Sequence, residues 1–290
     1  MKVLQQLLLV TAASVIITSC KKNNDAGTGT TDPAKAQSFS NVSYGADAAQ
    51  KMDVFLPANR TATSTKSMII IHGGAWSSGD KTDLNSFIDT LKRRMPDYAI
   101  FNINYRLSTG TANLFPTQEN DVKAAIEFIY SKRSEYIISD KFVLNGQSAG
   151  AHLALLQAYK YTTPVKIKAV IDFFGPTDMV DLYNNPGMVP PATLALIVGA
   201  TPTSNPTLYQ QSSPINFVTA QCSPTIILQG GADPLVNATT QSLALKNKLV
   251  TAGVTNQYVF YPTGGHGDWN AATFTDAFNN VQAFLAANVQ

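Results

Sequence analysis

Ser148 stands in Gly146-Gln147-Ser148-Ala149-Gly150, between an apolar run at residues 142–145 and a helical pattern at residues 149–159. A G-x-S-x-G turn joining a strand to a helix lifts the serine side chain clear of the backbone and aims the next amide, that of Ala149, at a reacting carbonyl. A glycine-rich helix start with a capping serine would carry the same letters. A second motif favours the nucleophile. Residues 68–71 are followed by His72-Gly73-Gly74-Ala75-Trp76, whose adjacent glycines let backbone amides approach a developing oxyanion without side-chain obstruction. In a site of low dielectric each such donor is worth roughly 3 kcal/mol of barrier. A nucleophile and oxyanion donors, each directly after a strand, are the parts of an acyl-transfer site.

Such parts need a sheet to hold them. Apolar, β-rich runs recur at residues 42–44, 51–56, 68–71, 99–105, 142–145, 169–174, 225–229 and 257–261. Patterns of i, i+3, i+4 spacing fall between them at residues 83–94, 119–131, 149–159, 238–252 and 271–289. This alternation predicts an α/β fold: an opening hairpin, then a mostly parallel central sheet with helices on both faces. The ligand site of such a sheet lies at the carboxyl ends of its strands. With 44% hydrophobic and 14% charged residues, the 290-residue chain is neither disordered nor collagen-like nor a coiled coil. Lys2, Lys21, Lys22 and Lys35 against Asp25 and Asp32 account for the whole net charge of +2. The body is neutral, which speaks against a nucleic-acid surface.

Residues 7–17 form a mostly apolar run preceded by Lys2, well short of the roughly 20 residues that span a bilayer. It reads as a signal peptide over residues 1–19. The run ends in Ile17-Thr18-Ser19-Cys20, which resembles the lipobox of bacterial lipoproteins. That resemblance implies a lipid on Cys20 and an exported protein anchored in a membrane, facing the periplasm or the cell surface; ordinary secretory cleavage is the alternative. Residues 21–37 hold nothing apolar larger than Ala, and residues 20–37 read as a flexible tether. Residues 38–290 then make one domain. Cys20 and Cys222 are the two cysteines, too few for a disulfide framework, and Cys222 reads as an inert buried thiol.

The two motifs, in their order and context, resemble the α/β-hydrolase superfamily. Within it the chain is similar to carboxylesterases carrying HGGxW, including feruloyl-esterase-like proteins and relatives of arylformamidases and hormone-sensitive lipase. Further matching segments are WSSGDK (76–81), NYRLS (104–108), GQSAGAHL (146–153), GPTD (175–178) and SPINFV (213–218). Arylformamidases are cytosolic, so the export signal counts against kynurenine metabolism. The resemblance implies an oxyanion hole built by the amides of Gly73, Gly74 and Ala149, and a loop-holding role for His72.

A serine nucleophile needs a base, and the chain has three histidines. His152 follows Ser148 on its helix, where side chains beyond the first turn face away from the pocket, and reads as packing. By elimination the base is His266 in Gly264-Gly265-His266-Gly267-Asp268, where the superfamily places it. Asp233, in Gly230-Gly231-Ala232-Asp233-Pro234 after the preceding strand, matches the superfamily's acid loop; Asp178 and Asp268 are weaker candidates. Arg106 and Asp121 resemble a pair that ties a loop to the next helix. Trp76 either walls the acyl pocket or pins the oxyanion loop. No HExxH and no zinc-type spacing of His or Cys occurs, so no metal or other cofactor is implied.

Residues 178–211 form a Pro-rich, partly helical insert on the active-site edge, a small cap that would set substrate shape. The expectation is a serine esterase acting on small acyl or aryl esters; context alone, the expected anchor, suggests those of polysaccharide fragments. Its alternatives are a serine peptidase or amidase of the same fold and a catalytically silent lipoprotein that binds a glycan or partner.

Overall fold

The computed structural model describes residues 31–290. The expected signal peptide, the expected lipidation at Cys20 and the first part of the expected tether lie outside the described residues. Eight strands form one sheet: β1 (Gln37–Ser43), β2 (Lys51–Leu56), β3 (Lys66–Ile71), β4 (Tyr98–Ile103), β5 (Phe142–Gln147), β6 (Ala169–Phe173), β7 (Thr225–Gly230) and β8 (Asn256–Tyr261). Their order across the sheet is β1-β2-β4-β3-β5-β6-β7-β8. The two pairings made by β2 are antiparallel and all those from β4 to β8 are parallel. Strands buried on both faces read as continuous apolar runs. In β3, Met68 and Ile70 face one side while Ile69 and Ile71 face the other.

The helices are α1 (Asn85–Arg94), α2 (Thr117–Ser131), α3 (Arg133–Tyr136), α4 (Ala149–Lys160), α5 (Met179–Asn184), α6 (Pro191–Val198), α7 (Pro206–Gln211), α8 (Ala244–Thr251) and α9 (Ala271–Asn288). Phe87, Ile88 and Leu91 of α1 meet Phe278, Val281 and Leu285 of α9 over one face. Val122 and Ile126 of α2, Leu153 and Leu156 of α4, and Leu245 and Leu249 of α8 cover the other. The chain winds outward from β3 to β4, then returns to lay β5 on the other side of β3. That reversal opens a crevice at the carboxyl ends of β3 and β5, the place where open α/β sheets bind ligands. Register places Ile71 opposite Gly146, so the loop after β3 and the turn after β5 must meet.

Residues 31–37, assigned from composition to the tether, belong to the body. Thr31 is 7% exposed, and its hydroxyl donates to the Glu135 carbonyl. The guanidinium of Arg60, itself buried, donates to the carbonyl of Lys35 and to the side chain of Gln37, where β1 begins. Hydrogen bonds to backbone carbonyls hold this strap, and apolar content does not register them.

Candidate active site

The turn from β5 into α4 forces Ser148 into φ 53° and ψ −122°, a region that L-residues occupy only when their surroundings over-determine it. A bond from the Ser148 amide to the Phe173 carbonyl, 2.9 Å, holds it there. The flanking glycines are required by space: a Cβ on Gly146 would stand 2.3 Å from the backbone of Gly150 and Ala151. Ala149 begins α4, where an amide has no intrahelical partner. It is left free beside the Ser148 hydroxyl.

The loop after β3 supplies the other donors. Gly74, Ala75 and Trp76 have φ of 106°, 48° and 58°, three successive left-handed residues that turn the backbone across the mouth of the sheet. Among the described residues the amides of Gly73 and Gly74 donate to no protein group. A Cβ on Gly73 would stand 3.2 Å from the Cβ of Ser148, so this backbone lies directly against the serine. His72 holds the loop from below. Its Nδ1 donates to the Gly73 carbonyl at 2.7 Å, and its ring stacks on Tyr105 with centroids 4.3 Å apart. The Tyr105 hydroxyl donates to the His72 carbonyl at 3.0 Å. Burial pushes the His72 imidazole below its ordinary pKa, which keeps it neutral.

His266 lies after β8 with Nε2 2.8 Å from the Ser148 hydroxyl and Nδ1 2.8 Å from Oδ2 of Asp233. The two loops that carry this pair run side by side: a Cβ on Gly230 would stand 2.3 Å from the Gly264 carbonyl oxygen, and the Ala232 amide donates to that same carbonyl at 2.9 Å. Oδ1 of Asp233 accepts the amides of Leu235 and Val236. Burial alone would raise the Asp233 pKa, but the hydrogen bond and charge of His266 and the two amides outweigh it and hold the carboxyl below its ordinary value. An ionised Asp233 accepts a hydrogen bond from the Nδ1–H, which leaves the lone pair of Nε2 facing Ser148.

The two competing carboxylates stand elsewhere. Asp178 caps α5, accepting the amides of Val180 and Asp181, and Asp268 is exposed beyond His266. Arg106 and Asp121 form a bidentate pair that fastens the loop after β4 to α2. Trp76 performs both functions open to it: its indole borders the cavity and its N–H donates to Nδ1 of His152 at 3.1 Å. Cys222 is buried and forms no disulfide among the described residues.

Above Ser148 lies a cavity of about 410 Å³. Leu182, Val189 and Leu194, from residues 178–211, line it together with Trp76, Phe174 and Val236, and among the described residues His266 is the one side chain of its lining that ionises near neutral pH.

The model of the BD-FAE family matches residues 52–249, more than half of the chain. The chain belongs to the BD-FAE family. That match takes in Gly73, Gly74, Ser148 and Asp233 and ends before His266, which the geometry alone brings to the serine. Over 218 residues the chain is 28% identical to esterase LipQ of Mycobacterium tuberculosis, covering 71% of this chain and 51% of that protein. The chain spans about half the length of such curated relatives. Among solved structures it is similar to a carbohydrate esterase from gut microbiota, with a TM-score of 0.75 and 28% identity over 90% of this chain and 99% of that one. A bifunctional GH43-CE protein of Bacteroides eggerthii gives a TM-score of 0.73 and 25% identity, over 85% and 38% of the two chains. The sheet and its helices are those of the α/β-hydrolase fold.

This BD-FAE chain also uses residues that pattern reasoning passes over. Gln229, fully buried on β7, donates to Oδ2 of Asp233 at 3.1 Å and accepts the Ser242 hydroxyl. Phe174 packs its ring 4.7 Å from that of His266. The only sequence signal for either was a position at the carboxyl end of a strand.

Proposed function

We propose that the chain is a serine esterase. The observation that carries this function is the unbroken hydrogen-bonded line from Ser148 through His266 to Asp233 at the floor of a cavity where the amides of Gly73, Gly74 and Ala149 have no acceptor among the described residues. Ser148 attacks the ester carbonyl as His266 Nε2 takes its proton, and the three amides receive the oxyanion. Collapse returns the proton to the leaving alcohol and leaves an acyl-serine. Water, deprotonated by the same nitrogen, then releases the acid.

The lining supports a neutral substrate with a compact apolar acyl group, since no carboxylate borders the cavity to receive a peptide's ammonium. This favours ester over peptide hydrolysis, and it leaves a silent binder no use for free oxyanion donors. Likeness to a carbohydrate esterase supports an alcohol portion drawn from oligosaccharides. A fluorophosphonate probe is expected to label Ser148, and Ser148→Ala to lose labelling and about 10³-fold or more of aryl-ester turnover. A folded wild type that neither reacts nor cleaves acetyl to octanoyl aryl esters would sink the proposal.

The ITSC sequence supports export and a lipid on Cys20. An alkyne fatty acid fed to cells is expected to mark the wild type and leave Cys20→Ser unmarked; wild type recovered unlabelled and wholly soluble refutes the anchor.

A further inference from the structure

Trp76, His152 and Ser212 sit on three segments that ester chemistry needs in fixed relation: the oxyanion loop, the nucleophile helix and the end of the 178–211 insert. An indole N–H can only donate and a carbonyl can only accept. Trp76 Nε1 is 3.1 Å from His152 Nδ1, and His152 Nε2 is 2.7 Å from the Ser212 carbonyl oxygen. Both bonds exist together only if Nδ1 carries the lone pair and Nε2 the proton. His152 and Ser212 are fully buried and Trp76 is 4% exposed, so no water competes for either bond.

What this line holds is strained. Ala75 and Trp76 are non-glycine residues in the left-handed region, a conformation that costs about 1–3 kcal/mol per residue and persists only under outside constraint. Gly73 and Gly74 immediately precede them. The Trp76 side chain has one hydrogen bond with which to anchor that backbone, and His152 accepts it. At the other end, Ser212 closes α7 and adjoins Ser213, whose hydroxyl accepts the Met179 amide at the start of α5. The same imidazole therefore bonds to the residue that directly follows the insert walling the cavity. Burial, opposed by the Ser212 bond and reinforced by the charge of Lys160, lowers the His152 pKa to about 4, so the bonding pattern survives across the neutral range.

Resting on the esterase function proposed above, we propose that His152 is a positioning residue that locks the oxyanion loop to the end of the cap. It accepts the Trp76 indole proton and donates to the Ser212 carbonyl. Through Trp76 it fixes where the Gly73 and Gly74 amides point; through Ser212 it fixes where the cap wall stands.

Half-substitutions separate the two bonds. His152→Gln retains a donor near Nε2 and loses the acceptor for Trp76; His152→Asn retains an acceptor near Nδ1 and loses the reach to Ser212; Trp76→Phe deletes the indole N–H and keeps an aromatic wall. His152→Gln and Trp76→Phe are expected to lower kcat on an aryl acetate about tenfold or more, within the range by which a misplacement of about 1 Å slows an enzyme, with KM moving less than about twofold. Their double variant is expected to fall no further than the worse single one, as for two residues acting through one bond. His152→Asn is expected to lose less kcat on acetate than His152→Gln and to alter the ratio of rates between butyryl and acetyl esters; an unaltered ratio would overturn the link to the cap.

Thermal unfolding and circular dichroism identify folded variants. Folded His152→Gln and Trp76→Phe proteins with kcat near that of an active wild type, or with additive losses, would overturn the proposal. A wild type inactive on every ester refutes the esterase function instead. The bond itself is read without turnover, by nitrogen NMR of the imidazole and exchange of the Trp76 indole proton. The tautomer protonated at Nε2 and a slow indole proton that becomes fast in His152→Gln support the lock; the opposite tautomer, or an indole proton unaffected by the substitution, refutes it.

Discussion

Gly150 lies so close to Ile71 that a Cβ on it would stand 2.1 Å from the Ile71 carbonyl oxygen. The nucleophile helix and the strand that feeds the oxyanion loop thus touch backbone to backbone, and distances within the site inherit that contact. Gly150→Ala is expected to force the two apart. Overpacking of this kind costs about 1–3 kcal/mol, and the displaced amides should lower turnover about 100-fold. Thermal unfolding together with kcat on an aryl acetate checks both; a variant with wild-type kcat would mean the contact does not set the site.

Asp233→Asn should be the most damaging of three single carboxylate changes. Its loss leaves the His266 proton free to sit on the wrong nitrogen, which can lower turnover about 10⁴-fold. Asp178→Asn keeps the cap of α5, and Asp268→Asn changes an exposed side chain; both should stay within about threefold of wild type, the scale of changes distant from the reacting atoms. Turnover numbers at neutral pH, with folding verified, rank the three.

Acyl length should be read by the cap wall. Each methylene in contact with an apolar wall contributes about 0.8 kcal/mol, and the wall of Leu182, Val189 and Leu194 is short. The specificity constant is expected to peak between acetyl and butyryl esters. Val189→Phe, at a half-buried position, should shift the peak toward acetyl; a rising constant for octanoyl esters in that variant would contradict the assigned wall.

Asp172 gives stability a pH dependence of its own. It is fully buried on β6; its Oδ1 accepts the Gly175 amide, and Oδ2 has no partner among the described residues. Burial, opposed by the Gly175 bond, raises its pKa from 3.8 to about 7. The folded chain therefore holds a proton that the unfolded chain has released, and stability falls as pH rises through that interval. Asp172→Asn removes the titration. The Tm of the variant minus that of the wild type should grow between about pH 5 and about pH 8; a constant difference would mean that the carboxyl is already ionised at the lower pH.

The strands were legible because a sheet covered on both faces demands unbroken apolar runs, and Met68 to Ile71 is such a run. Ser148 was legible because glycine must flank a backbone bent as sharply as its own, and His266 because the chain has three histidines and it is the one that follows the last strand. The π-helical opening of the helix at Ala238–Leu243 has the same letters as an α-helix and could not be read. His152 looked like packing because a buried histidine on a helix usually is packing, and its two bonds go to partners far away in sequence. Thr31 and Arg60 were missed for a related reason. Apart from the Arg60 bond to the Gln37 side chain, their contacts are with backbone carbonyl oxygens, which every residue possesses, so no side-chain pattern announces them.

That strap also gives the molecule a front and a back. Thr31 and Arg60 fasten to Glu135 and Tyr136, just ahead of where β5 begins, whereas Ser148 sits where β5 ends. A strand of this length measures about 20 Å. Attachment made through the amino-terminal end, whether to a surface, a resin or a fused partner, grips the underside of the sheet, and the cavity opens on the far side, toward whatever the surrounding fluid brings.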